Sequence, residues 1–310
     1  MRWILLTLCG LLGACQVAPL EPEDAVVSMR VSTERTLPEW QSPRERSHPR
    51  VGQIVSLHSG AQVTIEQLLN ELADTPLVLL GEKHDNPDHH ALQLWLLQAL
   101  EARRPQGSVV MEMLTLDQQT TVSQVQRQIQ SGEQAEDLPQ ALNWHSGWDW
   151  QQYAALVSHS LEQPYPLLAG NLNRDALMAI YRNPPQLTGV ESTRADVIEH
   201  LTEQIREGHC NKLPEAQLPA MLAVQQQRDR SMAKVLLEAP KPTLLIAGAY
   251  HVRYDLGVPL HINDLQNAER LDQAVVIFAE ADQEVDSSSA DFIWYTPAVV
   301  ETDYCADVKE

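Results

Sequence analysis

The chain has 310 residues, and 44% of them are apolar, enough for one large hydrophobic core. It carries 42 acidic residues against 22 basic ones, which gives a formal net charge of −20. So large an acidic excess argues against nucleic-acid binding and against electrostatic adhesion to anionic lipid.

The N-terminus resembles a bacterial lipoprotein signal. An apolar stretch at 3–12 is too short to span a bilayer but is typical of a signal-peptide core. It ends in a motif that looks like a lipobox, Leu12-Gly13-Ala14-Cys15. We therefore predict a signal peptide at 1–14, lipidation of Cys15, and a protein that reaches the bacterial outer membrane through its lipid alone, with its folded part in the periplasm or at the cell surface. An ordinary signal peptide with a chance cysteine is the alternative.

The next segment, 15–50, is rich in Pro, Glu, Arg and Ser, and we interpret it as a tether of irregular structure.

Beyond the tether, strand and helix patterns alternate, which predicts a doubly wound, mostly parallel α/β sheet with flanking helices. Asn86 and Pro87 mark the start of one of these helices as N-cap and first residue. The expected elements are an extended segment at 51–57, helix 64–73, strand 76–80, a helix after Asn86, strand 108–113, helix 115–130, helix 149–161 and strand 165–170.

The alternation stops between 173 and 237. Apolar residues recur there at helical spacings, prolines interrupt the pattern, and no strand candidate is present. We predict a small all-helical subdomain at 173–237, inserted in an α/β core domain of 51–172 and 238–310. The sheet resumes with predicted strands at 243–246, 274–279 and 292–295.

Two of the four cysteines are left for the folded protein. Cys9 would leave with the signal peptide and Cys15 would take lipid, so Cys210 and Cys305 remain in an oxidising compartment. We predict a disulfide between them; it would close a loop of about 95 residues and contribute about 4 kcal/mol on the chain-entropy model. Two free buried cysteines are the alternative.

Polar, mostly ionisable residues lie at the ends of four of the predicted strands. Because ligands bind outside the carboxyl ends of parallel strands, we expect these side chains to share one crevice. Glu112 ends a run that should be buried, so it needs a partner, for which His84 or His251 is expected. Glu82 and His84 are two residues apart and would face the same side of an extended segment, although a helix-capping cluster is the alternative. The crevice candidates are Glu82, His84, Glu112, Asn171 and His251.

Several neighbouring residues receive a structural interpretation instead. His89 and His90 fall in the first turn of a helix, where histidines are commonly exposed, and we leave them out of the site. The tryptophans at 144, 148 and 150 are expected to be core and rim residues of a loop. For Asp229 we expect a structural ion pair.

Ordered motifs over residues 50–305 resemble the ChaN family of iron-regulated haem-binding lipoproteins, which shares a clan with Tiki proteases and erythromycin-esterase-like enzymes. The motifs are Gly81-Glu82-Lys83-His84-Asp85-Asn86, Met111-Glu112-Met113, Ala169-Gly170-Asn171-Leu172, Gly208-His209-Cys210, Gln227-Arg228-Asp229-Arg230-Ser231-Met232-Ala233, and Gly248-Ala249-Tyr250-His251 through Gly257-Val258-Pro259. The resemblance implies a Rossmann-like α/β domain with a small helical second domain, and haem held between two subunits by tyrosine.

Within that resemblance, Tyr250 and Tyr181 are the candidate axial ligands of haem iron, and Arg182, His209 and Lys212 are candidates for its propionates. The predicted function is that of an outer-membrane-anchored haem-binding lipoprotein in haem and iron acquisition, homodimeric when loaded. A metal-dependent hydrolase of the same clan is the alternative, with a divalent metal ion on the ionisable crevice residues. An envelope binding module without either activity is the third possibility.

Overall fold

A mostly parallel sheet organises the fold. In the computed structural model, which describes residues 35–133, 137–266 and 270–306, eight strands join in the order β2-β1-β8-β7-β3-β6-β4-β5. The six strands from β8 to β5 run parallel, and β1 and β2 extend one edge in antiparallel pairing. The strands are β1 Ile54–Ser56, β2 Gln62–Val63, β3 Leu77–Glu82, β4 Ser108–Thr115, β5 Leu167–Asn171, β6 Thr243–Gly248, β7 Gln273–Glu280 and β8 Phe292–Thr296. The predicted mostly parallel α/β sheet is confirmed.

Helices cover both faces of the sheet. The helices are α1 Ile65–Asp74, α2 Pro87–Glu101, α3 Gln119–Gln130, α4 Leu138–Ala141, α5 Trp150–Glu162, α6 Arg174–Arg182, α7 Ala195–Gly208, α8 Leu218–Glu238, α9 Ala249–Val252 and α10 Val258–Leu265. Helices α1, α2, α3 and α5 bury their apolar sides in one core, and α8 and α10 pack on the other face. As predicted, Asn86 caps α2, accepting a hydrogen bond from the Asp88 backbone N–H, and Pro87 is the first residue of the helix.

The segment predicted to be helical contains α6, α7 and most of α8. Five of its residues form a small apolar cluster together with Leu256 and Leu260 of the core domain, namely Val197, Leu201, Ile205, Leu218 and Leu222. The C-terminal half of α8, in contrast, places Met232 and Leu236 in the core against the sheet. One long helix therefore connects the helical segment to the sheet, and its inner face reaches the strand ends.

The chain from Arg35 onward forms one compact unit. In its first part, at 35–50, Ser42 donates its backbone N–H to Asp88 at 3.0 Å, and Arg44 pairs with Ala298 in an isolated β-bridge. Cys15 and the predicted signal peptide at 1–14 lie outside the described residues, so the predictions about them stay predictions. Within the described part of the chain, none of the helices has the length and apolar character needed to cross a membrane.

The expectation that His89 and His90 are exposed is wrong. Both are buried, because the first turn of α2 enters the fold at the end of the sheet. The His89 Nδ1 atom accepts from the Lys83 backbone N–H at 2.9 Å, and its Nε2 atom lies 2.9 Å from the Thr296 hydroxyl. Burial lowers the pKa of His89 well below its ordinary value, which favours the neutral ring that this bonding requires.

Cys210 and Cys305 are bonded to each other, as predicted. In a form of the protein that begins at Gln16, these are the only cysteines, so thiol counting on the denatured chain should find none before reduction and two afterwards. Two reactive thiols in the unreduced sample would contradict the bond.

Candidate functional site at the strand ends

Four strands of the sheet deliver the crevice candidates to one place. Glu82 and Asn171 are the last residues of β3 and β5, and Glu112 belongs to β4, which lies between β5 and β6. His251 follows β6 directly, on the short helix α9. Because all four strands are parallel, their carboxyl ends meet at the same edge of the sheet.

Glu82 is a buried carboxylate that holds the imidazole of His84. Its Oε1 atom accepts from His84 Nδ1 at 2.6 Å and from the Tyr153 hydroxyl at 3.0 Å. The Oε2 atom is buried without a hydrogen-bond partner among the described residues. Burial lowers the pKa of His84, but the hydrogen bond and the charge of Glu82 outweigh it, so the net shift is upward and favours an imidazolium.

Aromatic rings border this pair. The ring of Trp148 meets that of His84 edge-on, with centroids 4.9 Å apart, and it also contacts Tyr153. Trp144 and Trp150 pack against the core beside them, in agreement with their expected core and rim role. Trp148 therefore packs against the core within its loop and also borders the site.

Glu112 is the buried centre of a second group of charges and is only 1% exposed. Its Oε1 atom accepts from Arg228 Nη2 at 2.6 Å and from His251 Nε2 at 3.2 Å, while Oε2 accepts from the Gly248 backbone N–H at 2.8 Å. Burial raises the pKa of Glu112, but the charges of His251 and Arg228 reverse this, and the net pKa lies well below the ordinary value. Glu112 is therefore ionised.

His251 is held at both ring nitrogens. Its Nε2 atom lies 3.2 Å from Glu112 Oε1, and its Nδ1 atom forms a short hydrogen bond with Asp229. A carboxylate at each ring nitrogen favours the imidazolium form. Burial lowers the pKa of His251, yet the charges of Glu112 and Asp229 outweigh it and raise the pKa to about 9. Asp229 thus has the ion-pair role expected from the sequence.

Gly248 lies between the Glu82–His84 pair and the group around Glu112, and its lack of a side chain lets them approach each other. A Cβ atom at this position would lie 2.8 Å from His84 Nε2 and 3.6 Å from Glu112 Oε2. On the other side, Asn171 accepts through its Oδ1 atom from Arg228 Nε at 3.3 Å. The five crevice candidates therefore lie in one connected cluster, which we call the strand-end network and which also includes Tyr153, Arg228 and Asp229.

We expect Gly248→Ala to displace the His84 ring, because the added methyl group would occupy the position next to Nε2. The exposed ring can rotate outward, so the fold should persist while the bond to Glu82 is lost. A histidine titration followed by NMR should then show the pKa of His84 moving down toward its ordinary value. Gly208→Ala, where a Cβ meets nothing within 4 Å, is the matched control. An unchanged His84 titration in Gly248→Ala would refute this.

The strand-end network balances its own charges. Its carboxylates are Glu82, Glu112 and Asp229, and its cations are Arg228 and the two imidazoles. In the described residues, no group of three His, Cys, Asp or Glu side chains could hold a metal ion, so the divalent-metal alternative finds no support. The His84 side chain is 44% exposed, and its Nε2 atom makes no hydrogen bond to the described residues. This nitrogen is therefore available for proton transfer to a ligand.

The two candidate haem ligands lie in different places. Tyr250 is on α9, beside His251, with 55% of the residue exposed. Tyr181 is half-buried near the end of α6. Neither hydroxyl forms a hydrogen bond within the described chain, whereas four other tyrosine hydroxyls are engaged, namely those of Tyr153, Tyr165, Tyr254 and Tyr304.

The propionate candidates do not join the strand-end network. Arg182 is exposed at the end of α6, and His209 ends α7 with its Nδ1 atom 2.7 Å from the Ile205 carbonyl oxygen. Lys212 is exposed on the loop beside the disulfide. Tyr250 is therefore the haem-ligand candidate that lies next to the network in the chain.

Sequence reasoning did not assign Arg228 or Tyr153 to the site. Arg228 stands in a run of alternating charges, Arg228-Asp229-Arg230, which is typical of a solvated helix face. Two signals pointed inward: Met232, one helical turn later, lies on the buried stripe of α8, and the predicted buried Glu112 needed a cation. Tyr153 lacked any signal, because its ring also belongs to the core.

The chain matches the family described as "Haem-binding uptake, Tiki superfamily, ChaN" over residues 68–262, more than half of its length. A solved structure of ChaN from Campylobacter jejuni, described as showing cofacial haem binding, is 30% identical; the match covers 78% of this chain and 95% of that one, with a TM-score of 0.71. No curated protein matches.

More distant structures share parts of the architecture. The RRSP effector domain of a Vibrio vulnificus MARTX toxin is 17% identical over 81% of this chain and 42% of its own, with a TM-score of 0.42. The erythromycin esterase EreC, in an open conformation, is 13% identical over 73% and 77%, also with a TM-score of 0.42. Neither likeness is close enough to support an inference about activity.

Fold and site together define an α/β protein with a charged crevice at the carboxyl edge of a parallel sheet. Within that class, the chain belongs to the ChaN family of haem-binding uptake proteins.

Proposed function

We propose that this protein is a lipid-anchored haem-binding protein that takes part in haem and iron acquisition at the bacterial outer membrane. The observation that carries the proposal is the similarity to Campylobacter jejuni ChaN, whose chain is matched almost end to end. Family membership over the crevice motifs supports it further. Haem would be the cargo, and the strand-end network would form the floor beside it.

Tyr250 fits the demands of haem iron better than any other described tyrosine. Bound haem supplies a ferric iron, for which a phenolate oxygen is a suitable axial ligand. The Tyr250 hydroxyl is free of hydrogen bonds within the described residues, and more than half of the residue is exposed at the crevice. Tyr181 is the second candidate. The exposed cation of Arg182, together with His209 and Lys212, would take propionates, in part from a second subunit.

We infer that two subunits enclose the haem. A porphyrin has two large apolar faces, and a tyrosine on an exposed surface covers one of them at most. Pairing through a two-fold axis would let each subunit cover the face that the other leaves in water. The loaded protein should therefore be a homodimer.

Anchoring would come from Cys15. The lipobox-like motif before this residue supports diacylation of its thiol, and several acyl chains hold a protein firmly in a bilayer. Cys15→Ser should leave the protein uncleaved and unlipidated, which mass spectrometry of the membrane fraction would detect. Recovery of a normally processed, membrane-bound Cys15→Ser protein would refute the anchor.

Titration of the form that begins at Gln16 with ferric haem, followed by absorbance, tests the proposed function most directly. We expect saturable binding with the spectrum of a tyrosinate complex, and sedimentation of the loaded protein as a dimer. Metal analysis of the haem-free sample runs alongside. A sample that binds no haem but retains a stoichiometric divalent metal would overturn the proposal.

A further inference from the structure

A surface cavity lies between helices α2 and α5 and the segment 35–41 that precedes the sheet. Its volume is about 530 Å³, within the range of about 300–1,000 Å³ that is usual for small-molecule sites. Helix α2 lines it from Pro87 to Gln98, a length of about 16 Å. None of the residues that line the cavity belongs to the strand-end network.

The wall formed by 35–41 is fixed in place by hydrogen bonds to α2. Trp95 donates its indole N–H to the backbone carbonyl oxygen of Arg35 at 3.2 Å. The Gln41 backbone N–H donates to Asp88 Oδ1 at 2.6 Å. The cavity is therefore preformed, so a ligand does not have to order this segment when it binds.

The cavity is nearly uncharged, although the chain is strongly acidic. Acidic residues make up 42 of the 310 residues, yet none of the residues that line the cavity is acidic. Arg35 is exposed, and its guanidinium already donates to Gln98 Oε1 at 2.6 Å. An ammonium group would find no carboxylate here, and an anion would find one exposed guanidinium that already has a partner. The lining therefore favours an uncharged ligand.

Three primary amides around the cavity are available to a ligand. They belong to Gln41, Gln151 and Gln152, whose side chains form no hydrogen bond to the described residues. Each amide can donate two hydrogen bonds and accept two. Such a set suits a ligand whose own groups both donate and accept, as hydroxyls do.

His90 adds a buried acceptor to this lining and is only 4% exposed. Its Nε2 atom lies 3.0 Å from the backbone carbonyl oxygen of His84, and because a carbonyl oxygen only accepts, Nε2 carries the hydrogen. In the neutral ring Nδ1 is then an acceptor, and it is buried without a partner in the described part of the chain. An unpaired buried acceptor is unfavourable, and a hydroxyl bound in the cavity would supply the missing donor.

Apolar side chains line the rest of the cavity. Helix α2 contributes Ala91, Leu94 and Trp95, and α5 contributes Ala155 and Leu156. A flat ligand with one C–H face and a polar edge can rest on this surface while its edge reaches the amides. A sugar ring has this combination of an apolar face and hydroxyls.

We propose that the cavity between α2 and α5 is a second binding site, which takes an uncharged mono- or disaccharide. The sugar hydroxyls pair with the three glutamine amides and with His90 Nδ1. The His90 ring separates the cavity from the strand-end network, because it packs against the Tyr153 ring with centroids 4.5 Å apart, and the Tyr153 hydroxyl is bonded to Glu82. This site does not depend on the proposed haem function.

Titration with two sugars tests the site. Maltose offers hydroxyls and ether oxygens alone, and N,N′-diacetylchitobiose adds acetamido groups that can pair with glutamine amides. Each is added to the isotope-labelled form that begins at Gln16, and backbone amide NMR follows the titration. We expect saturable shifts with at least one sugar, concentrated in 35–41, 87–98 and 151–156. Haem is absent from the experiment, so its outcome is separate from that of the haem titration.

A pair of alanine variants shows whether the sugar occupies the cavity. Ala155→Trp places a large ring in it and should weaken binding by about tenfold or more. Ala179→Trp is the matched control, because Ala179 is also exposed on a helix, α6, but does not line the cavity. It should bind like the parent.

A pair of glutamine variants tests the hydrogen bonds and decides alone if Ala155→Trp does not fold. Gln152→Ala should weaken binding by about fivefold, as for the loss of one neutral hydrogen bond. Gln128→Ala is the control, since Gln128 is exposed on α3 and away from the cavity lining. This control should leave the affinity unchanged.

Three results would overturn the proposal. One is the absence of saturable shifts with both sugars. Another is a set of shifts centred on α9 instead of the cavity, or an equal effect of each variant and its control. The third concerns an extended peptide as the alternative occupant: acetyl-trialanine amide, titrated in the same way, would bind in the cavity while neither sugar does.

Discussion

Replacement of Tyr250 by phenylalanine is expected to weaken ferric haem binding by about 100-fold or more, because even residues behind a metal ligand are worth about 10–100-fold in affinity. The substitution keeps the ring and removes the one oxygen that would bind iron. The hydroxyl makes no hydrogen bond to the described residues, so the fold should be unaffected. Absorbance titration should show loss of the charge-transfer band of a ferric phenolate.

Two further tyrosine variants make this prediction decisive. Tyr181→Phe should bind haem with the parent spectrum if Tyr250 is the ligand. Tyr254→Phe controls for loss of a hydroxyl elsewhere, since the Tyr254 hydroxyl is bonded to Asp291. Loss of the band in Tyr181→Phe alone would move the ligand to Tyr181. Parent spectra in both Tyr250→Phe and Tyr181→Phe would show that the assignment to tyrosine at these positions is wrong.

The sheet could be predicted from the sequence because its strands are short apolar runs separated by helical patterns. β3, β5 and β6 each begin or end within two residues of the predicted bounds. Helix α10 was not predicted, because it is apolar on most sides and begins with Val258 and Pro259, so it lacks a polar stripe that would reveal its period. The helical spacing of apolar residues can be recognised in a helix that keeps one polar face, but not in a helix that is buried on most sides.

The candidate site was predictable to the extent that strand ends position it. Glu82, Glu112 and His251 follow buried strands, and the parallel sheet alone brings them together. The partners from α8 and α5 were not predictable in the same way, because a helix that crosses over the sheet can present any of several faces. The buried histidines of α2 were misjudged for a related reason. The sequence places His89 in a first turn, but only the tertiary packing shows that this turn is covered.

The strand-end network also makes the protein's stability depend on pH. The pKa of His251 is raised from 6.5 to about 9 in the folded protein. A raised histidine pKa means that the folded state binds the proton more tightly than the unfolded state does. The resulting stabilisation is complete below about pH 6.5 and is lost as the pH rises through about 9. At about 1.4 kcal/mol per pH unit, the loss is about 3 kcal/mol.

Urea unfolding of the form that begins at Gln16, repeated from about pH 6 to about pH 10, measures this loss as a fall in the free energy of unfolding. His84 contributes with the same sign, because its pKa is raised too. The histidines with lowered pKa values, His89 and His261, titrate below this window. A free energy of unfolding that stays flat across the window would show that His251 is not an imidazolium in the folded protein.

Glu112→Gln should remove most of this pH dependence and destabilise the protein at neutral pH by about 3–5 kcal/mol, the cost of breaking a buried ion pair by removing one partner. The glutamine keeps an oxygen for the Gly248 N–H but takes the negative charge away from Arg228 and His251, which are left facing each other. The matched control is Glu215→Gln, which removes the same charge from an exposed pair with Arg206 and should cost less than about 1 kcal/mol. Equal costs for the two variants would mean that the Glu112 pair is solvated and contributes no more to stability than an exposed ion pair does.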